Sequence, residues 1–151
     1  MANGFNEDDA RALASVLDQI VPSSGDGRLP GAGEAGLVDY IAKAIEQSPD
    51  LAPAIEEGLA ALAELSREHG AAFPELTDEQ KTAVMAELGT KAPAFLGGLT
   101  YQTYVGYYQH PRVLEGLGVP GRPPHPEGYE LETGDLSLLD PVRARPKLYR
   151  E

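Results

Sequence analysis

Residues 48–70 read SPDLAPAIEEGLAALAELSREHG. Leu51, Ile55, Leu59, Leu62 and Leu65 recur at three- and four-residue steps, the spacing that lines one face of an α-helix. Ser48 and Pro49 read as an N-cap followed by proline at the first helical position, and Gly70 as the residue that ends the helix. Moving outward, the same period continues on both sides. Upstream, 34–47 is read as a helix with Leu37, Val38, Ile41, Ala44 and Ile45 as its buried stripe. Before it, Asn6 caps a helix carrying Leu13, Val16, Leu17, Ile20 and Val21, which Pro22 stops. Downstream, Thr77-Asp78-Glu79-Gln80 has the form of a capping box and opens a helix over about 78–88, with Gly89 as its stop. Pro93 opens a last helix that runs through Tyr108, and His110-Pro111 ends it. No stretch sustains a period of two. The expectation is an all-α protein: a bundle of four to five helices over residues 1–110, followed by a long irregular tail rich in Pro and Gly.

The tail, residues 111–151, holds seven of the 13 prolines, which argue against a regular helix or interior strand. It also holds Leu114, Leu117, Tyr129, Leu131, Leu138, Leu139, Leu148 and Tyr149, too much apolar bulk for an ordinary disordered tail. An extended segment with apolar anchors suits wrapping over a surface, of this chain or of a partner. Its final ten residues, VRARPKLYRE, are locally basic and suit either the chain's own acidic body or an acidic partner.

The net charge is −12, and residues 1–110 carry 17 acids against 6 bases. An acidic body repels phosphate backbones, which argues against nucleic-acid binding. There is no Cys, so disulfides, thiolate catalysis and Fe–S clusters are excluded. The N-terminal residues show no apolar run and no twin arginine, and no stretch has the length of apolar residues that spans a bilayer. A cytoplasmic protein without membrane contact is expected.

Little in the chain resembles a catalytic set. Gly31-Ala32-Gly33-Glu34-Ala35-Gly36 matches G-x-G-x-x-G, but the dinucleotide motif needs a buried strand before it, and SSGDGRLP cannot form one. A loop entering the second helix is the better reading. His69, His110 and His125 do not pair with other ligands at metal-binding spacing. Acid pairs such as Glu56-Glu57 and Asp78-Glu79 fit solvated helix surface. No catalytic, cofactor-binding or metal-binding residue is therefore assigned.

The most distinctive run is TYQTYVGYYQHPR, residues 100–112. Tyr101, Tyr104, Val105 and Tyr108 share one helical stripe, and Tyr107 flanks it. Tyrosine joins a rigid apolar ring to a hydroxyl that seeks a partner, so such a stripe either closes the bundle's own core or meets another protein. Gly97, Gly98 and Gly106 each weaken this helix by about 1 kcal/mol relative to Ala, and admit close approach of another backbone.

Several of these runs fall in a familiar order: LASVLDQIVP (13–22), PGAGEAGLVDYI (30–41), LAALAELSREHGAAFPELTDEQKTAVM (59–85) and YVGYYQHPR (104–112). In this the chain resembles the gluconate 2-dehydrogenase subunit 3 family. The resemblance implies a small accessory subunit without catalytic residues, paired with a large FAD-dependent oxidoreductase of the glucose–methanol–choline type. That partner would bind the FAD and oxidise a sugar, sugar acid or polyol. The small subunit would bind no cofactor and would support folding, maturation or stability of the large one in a hetero-oligomer. Family members often carry a twin-arginine export signal, which this chain lacks. The residues expected at the partner interface are Tyr101, Tyr104, Tyr107, Tyr108, His110, Arg112, Tyr129, Leu131, Leu138, Leu139, Leu148 and Tyr149. The alternative is a stand-alone helical binding module or small chaperone with an unrelated client.

Overall fold

Asn6 opens the first helix, α1 (Glu7–Ile20), by accepting a hydrogen bond from the Asp9 backbone N–H at 2.8 Å, while three acids in the first turn complement the helix dipole. The structure, a computed structural model, describes residues 4–119 and 134–146. Within them the helices are α1, α2 (Leu37–Gln47), α3 (Ala52–Glu68), α4 (Asp78–Lys91), α5 (Pro93–Tyr107), α6 (Pro111–Gly116) and α7 (Asp140–Arg143), with short 3₁₀ turns at Pro49–Leu51, Phe73–Glu75 and Leu136–Leu139. No strand occurs among the described residues, so the fold is all-α.

The helices are amphipathic where the sequence says they are. Leu13, Val16 and Leu17 of α1, Leu37 and Ile41 of α2, Ile55, Leu59, Leu62 and Leu65 of α3, and Val84 and Leu88 of α4 join one core. Helix α5 is its axis, packing against α1, α2, α3 and α4. It buries Phe95, Leu99, Thr103 and Tyr107, spaced four apart along one face. At the crossing with α3 a side chain on Gly58 would fall on the ring of Phe95, so glycine is what lets the ring lie against the α3 backbone. The buried hydroxyls of Ser66 and Thr103 are satisfied locally: Ser66 Oγ donates to the Leu62 carbonyl and Thr103 Oγ1 to the Leu99 carbonyl, each at 2.6 Å.

Several boundaries differ from the sequence reading, each for a local reason. Helix α2 begins at Leu37, not at residue 34, because Gly36 takes a left-handed φ of 79° as its N-cap. Residues 49–51 form a 3₁₀ turn before α3, and Ser48 makes no side-chain cap. Gly89 does not end α4; the helix runs on to Lys91, and the break falls before Pro93. The capping box forms as expected, Thr77 and Gln80 each bonding the other's backbone N–H. The tail reading fails in its first residues. Pro111 sits at the first position of α6, where its missing N–H costs nothing, and Val113 is fully buried in the core. The packed body thus extends past residue 110 to Val119, whose N–H closes on the Leu114 carbonyl after Gly118 turns at φ 77°.

Candidate interaction surface

Residues 93–109, which span α5, contain no charged side chain. A helix apolar all round is ordinarily buried all round. Here one face is the core and the other faces outward: Pro93, Ala94, Gly97, Tyr101, Tyr104 and Tyr108 are exposed. The three tyrosines are 67 %, 46 % and 53 % exposed, high for rings of this size. Tyr104 and Tyr108 stack, centroids 6.2 Å apart with planes 11° off parallel, and Tyr108 meets the edge of Tyr107 at 5.4 Å. The rings form a pre-ordered aromatic row.

The glycines of α5 divide by role. A Cβ on Gly106 would lie 2.7 Å from the Tyr40 ring and 2.9 Å from Leu37, so this glycine lets α5 close on α2. A Cβ on Gly97 or Gly98 would touch nothing within 4 Å. Their cost to the helix is not repaid by side-chain room filled among the described residues.

Tyr107 leaves the set expected at the surface. It is 2 % exposed, and its hydroxyl donates to the Pro30 carbonyl at 2.7 Å, tying the end of α5 to the loop between α1 and α2. Burial pushes its phenol above the ordinary tyrosine value, with Tyr108 and Glu34 adding to the shift. The neighbouring Gly loop has its own internal purpose. Asp18 Oδ1 accepts from the N–H groups of Gly33, at 2.8 Å, and Glu34, at 3.3 Å. Side chains on Gly31 or Gly33 would collide with Asp18 or the Ala14 carbonyl. The glycine-rich loop does cradle an anion, and that anion is a carboxylate of α1.

The other expected residues are spread along the chain's second half. His110 is half-buried at the N-cap of α6, its Nδ1 enclosed without a hydrogen-bond partner among the described residues. Arg112 is exposed and pairs with Glu34 at 3.0 Å. Leu138 and Leu139 are 76 % and 44 % exposed. Tyr129, Leu131, Leu148 and Tyr149 lie outside the described residues. The sequence reading did not select Leu117, Val119, Leu136 or Val142 for the surface, yet all are exposed. The signal for Leu117 and Val119 lay in recognising α6, beyond whose last turn they project.

Among the described residues no group of three or more His, Cys, Asp or Glu side chains is placed to hold a metal ion, and no helix is long and apolar enough to cross a membrane. No curated protein and no solved structure matches the chain. A family model described as gluconate 2-dehydrogenase subunit 3 matches residues 7–119. That match begins at the first residue of α1 and ends three residues past α6. It therefore spans helices α1 to α6 with the aromatic row, and the chain belongs to the gluconate 2-dehydrogenase subunit 3 family.

Proposed function

We propose that this chain is a non-catalytic accessory subunit of an FAD-dependent sugar, sugar-acid or polyol oxidoreductase, and that it docks on the large catalytic subunit through the outward face of α5. The family is one of dehydrogenase-complex subunits, which supplies the class of partner. The observation that carries the reading is the outward face of α5 itself: three exposed tyrosines, and an exposed Gly97 where an added side chain would touch nothing among the described residues. Tyrosines at the centre of an interface are frequent hot spots, and the flat strip around Gly97 admits a partner backbone. Exposed Leu136, Leu138, Leu139 and Val142 extend the apolar surface offered to the same partner. FAD and the hydride-accepting chemistry belong to the large subunit in this reading; the small subunit buries apolar surface that the large one exposes while folding.

Pull-down of the chain expressed at native levels, followed by co-expression with the flavoprotein recovered, tests the reading. The expected outcome is co-purification at fixed stoichiometry, with Tyr104→Ala weakening the complex by at least about tenfold, the effect of a hot-spot residue. A flavoprotein that folds, loads FAD and turns over equally well without this chain, and does not bind it, would sink the proposal.

A further inference from the structure

A trough runs between α1 and α3, on residues that α5 does not supply. Its larger end, about 510 Å³, opens between the start of α1, the last turn of α2 and the first half of α3. A second cavity of about 230 Å³ continues along α1 and α3 to Phe73 and shares Asp9, Leu59 and Ala63 with the first. The floor is apolar, built on Phe5, Ile45, Ile55 and Leu59. The rim is acidic: Asp8, Asp9, Glu46 and Glu56. None of these four carboxylates has an ion-pair partner among the described residues, whereas Glu34, Glu64 and Glu75 each have one. Among the described residues the one base on the wall, Arg67, sits at the far end with its Nε donating to the Ala63 carbonyl.

An apolar trough under a negative rim that has no ion-pair partner among the described residues fits a peptide whose large apolar side chains are flanked by cations. The chain itself carries one. Residues 143–151, RARPKLYRE, hold four bases and one acid, with Leu148 and Tyr149 set between Lys147 and Arg150. Reach does not limit it: the 16 residues between Val119 and the 3₁₀ turn at Leu136 can alone span roughly 55 Å, about four times the ~13 Å radius of gyration of a body this size. Tethering also holds such a segment at an effective concentration of the order of millimolar.

We propose that the α1–α3 trough is the docking site of the chain's own final segment, residues 147–151, with Leu148 and Tyr149 filling the apolar floor and Lys147 and Arg150 answering the carboxylates. This assigns Leu148 and Tyr149 to the chain's own body instead of the partner, and it does not depend on the accessory-subunit reading.

Because the chain has no cysteine, an introduced pair reports one contact only. Ala60, exposed on the trough wall, and Glu151 are replaced together (Ala60→Cys with Glu151→Cys) in the full-length chain under mild oxidation. A second pair, Gly97→Cys with Glu151→Cys, serves as control on the outward face of α5. The expected result is an intramolecular disulfide forming about tenfold faster in the first pair than in the control, as a docked tether requires. High salt should slow it, and so should Glu46→Lys with Glu56→Lys, the fold being checked by circular dichroism. Equal rates in both pairs, a product that is only a disulfide-linked dimer, no product, or a rate indifferent to both salt and charge reversal would each overturn the proposal.

Discussion

Tyr107 shows how one hydroxyl can fix two distant segments. Its donor reaches the Pro30 carbonyl, 77 residues earlier, in an otherwise apolar setting. Tyr107→Phe keeps the ring and strands that carbonyl, so chemical denaturation should show a loss of about 1–3 kcal/mol, the cost of an unsatisfied buried acceptor. The same loop holds a second polar anchor, Asp26. Ser24 Oγ donates to it at 2.6 Å, and the Arg28 backbone N–H and guanidinium follow at 3.1 and 2.8 Å. Together they hold its carboxyl at about 2, below its ordinary 3.8. Because the folded value is the lower one, the contribution is fully present above the ordinary carboxylate range and is lost as pH falls through about 2. Ser24→Ala removes the largest cause, and a carboxyl titration followed by NMR should then show Asp26 moving back towards 3.8.

At the scale of elements, α5 serves the core on one face and faces outward with the other, and its glycines separate the two. Gly97→Ala should stabilise the free chain by about 1 kcal/mol, since helix propensity improves and nothing is displaced. The same substitution should weaken the complex if a partner backbone lies on that strip. Thermal melts of the free chain and binding measurements on the pair would show the two effects with opposite sign; tighter binding would argue against the strip as a contact. Gly106→Ala should do the reverse and destabilise the free chain, because Tyr40 and Leu37 fill the space.

How much of this was legible follows from where the information sits. The stripes of α1, α3 and α4 and the capping box are local patterns, and they appear where the sequence placed them. The late start of α2 was not legible, because it depends on Asp18 reaching across from α1 to the amides of 33 and 34. Helix α6 was hidden by its proline, read as a breaker though it stands at a first helical position. The tyrosines were visible as a stripe, but sequence spacing put Tyr107 beside Tyr108 without showing that one points to the core and the other outward. That division depends on where α2 and the Pro30 loop cross the end of α5.

At the scale of the whole molecule, the last buried side chain among the described residues is Val113, and the described residues 134–146 are all exposed. A chain ending at Val119 should therefore keep its helical signal but melt about 4–8 °C below the full-length protein, the shift that roughly 1–2 kcal/mol lost with the docked Leu148 and Tyr149 produces at this size. Affinity for the large subunit should fall if the exposed leucines of 136–139 take part in binding. A collapsed melt would mean that residues 120–151 are part of the folding unit, which would also redraw the body as larger than the family match.

The bare backbone of Gly58 beneath Phe95 offers a native spectroscopic probe. Its α-hydrogens lie against an aromatic ring, where the ring current moves proton resonances away from the crowded glycine region. Such a signal reports whether α3 and α5 are in register without any label or mutation. It would let docking of the two helices be followed in the free chain and in a large complex alike.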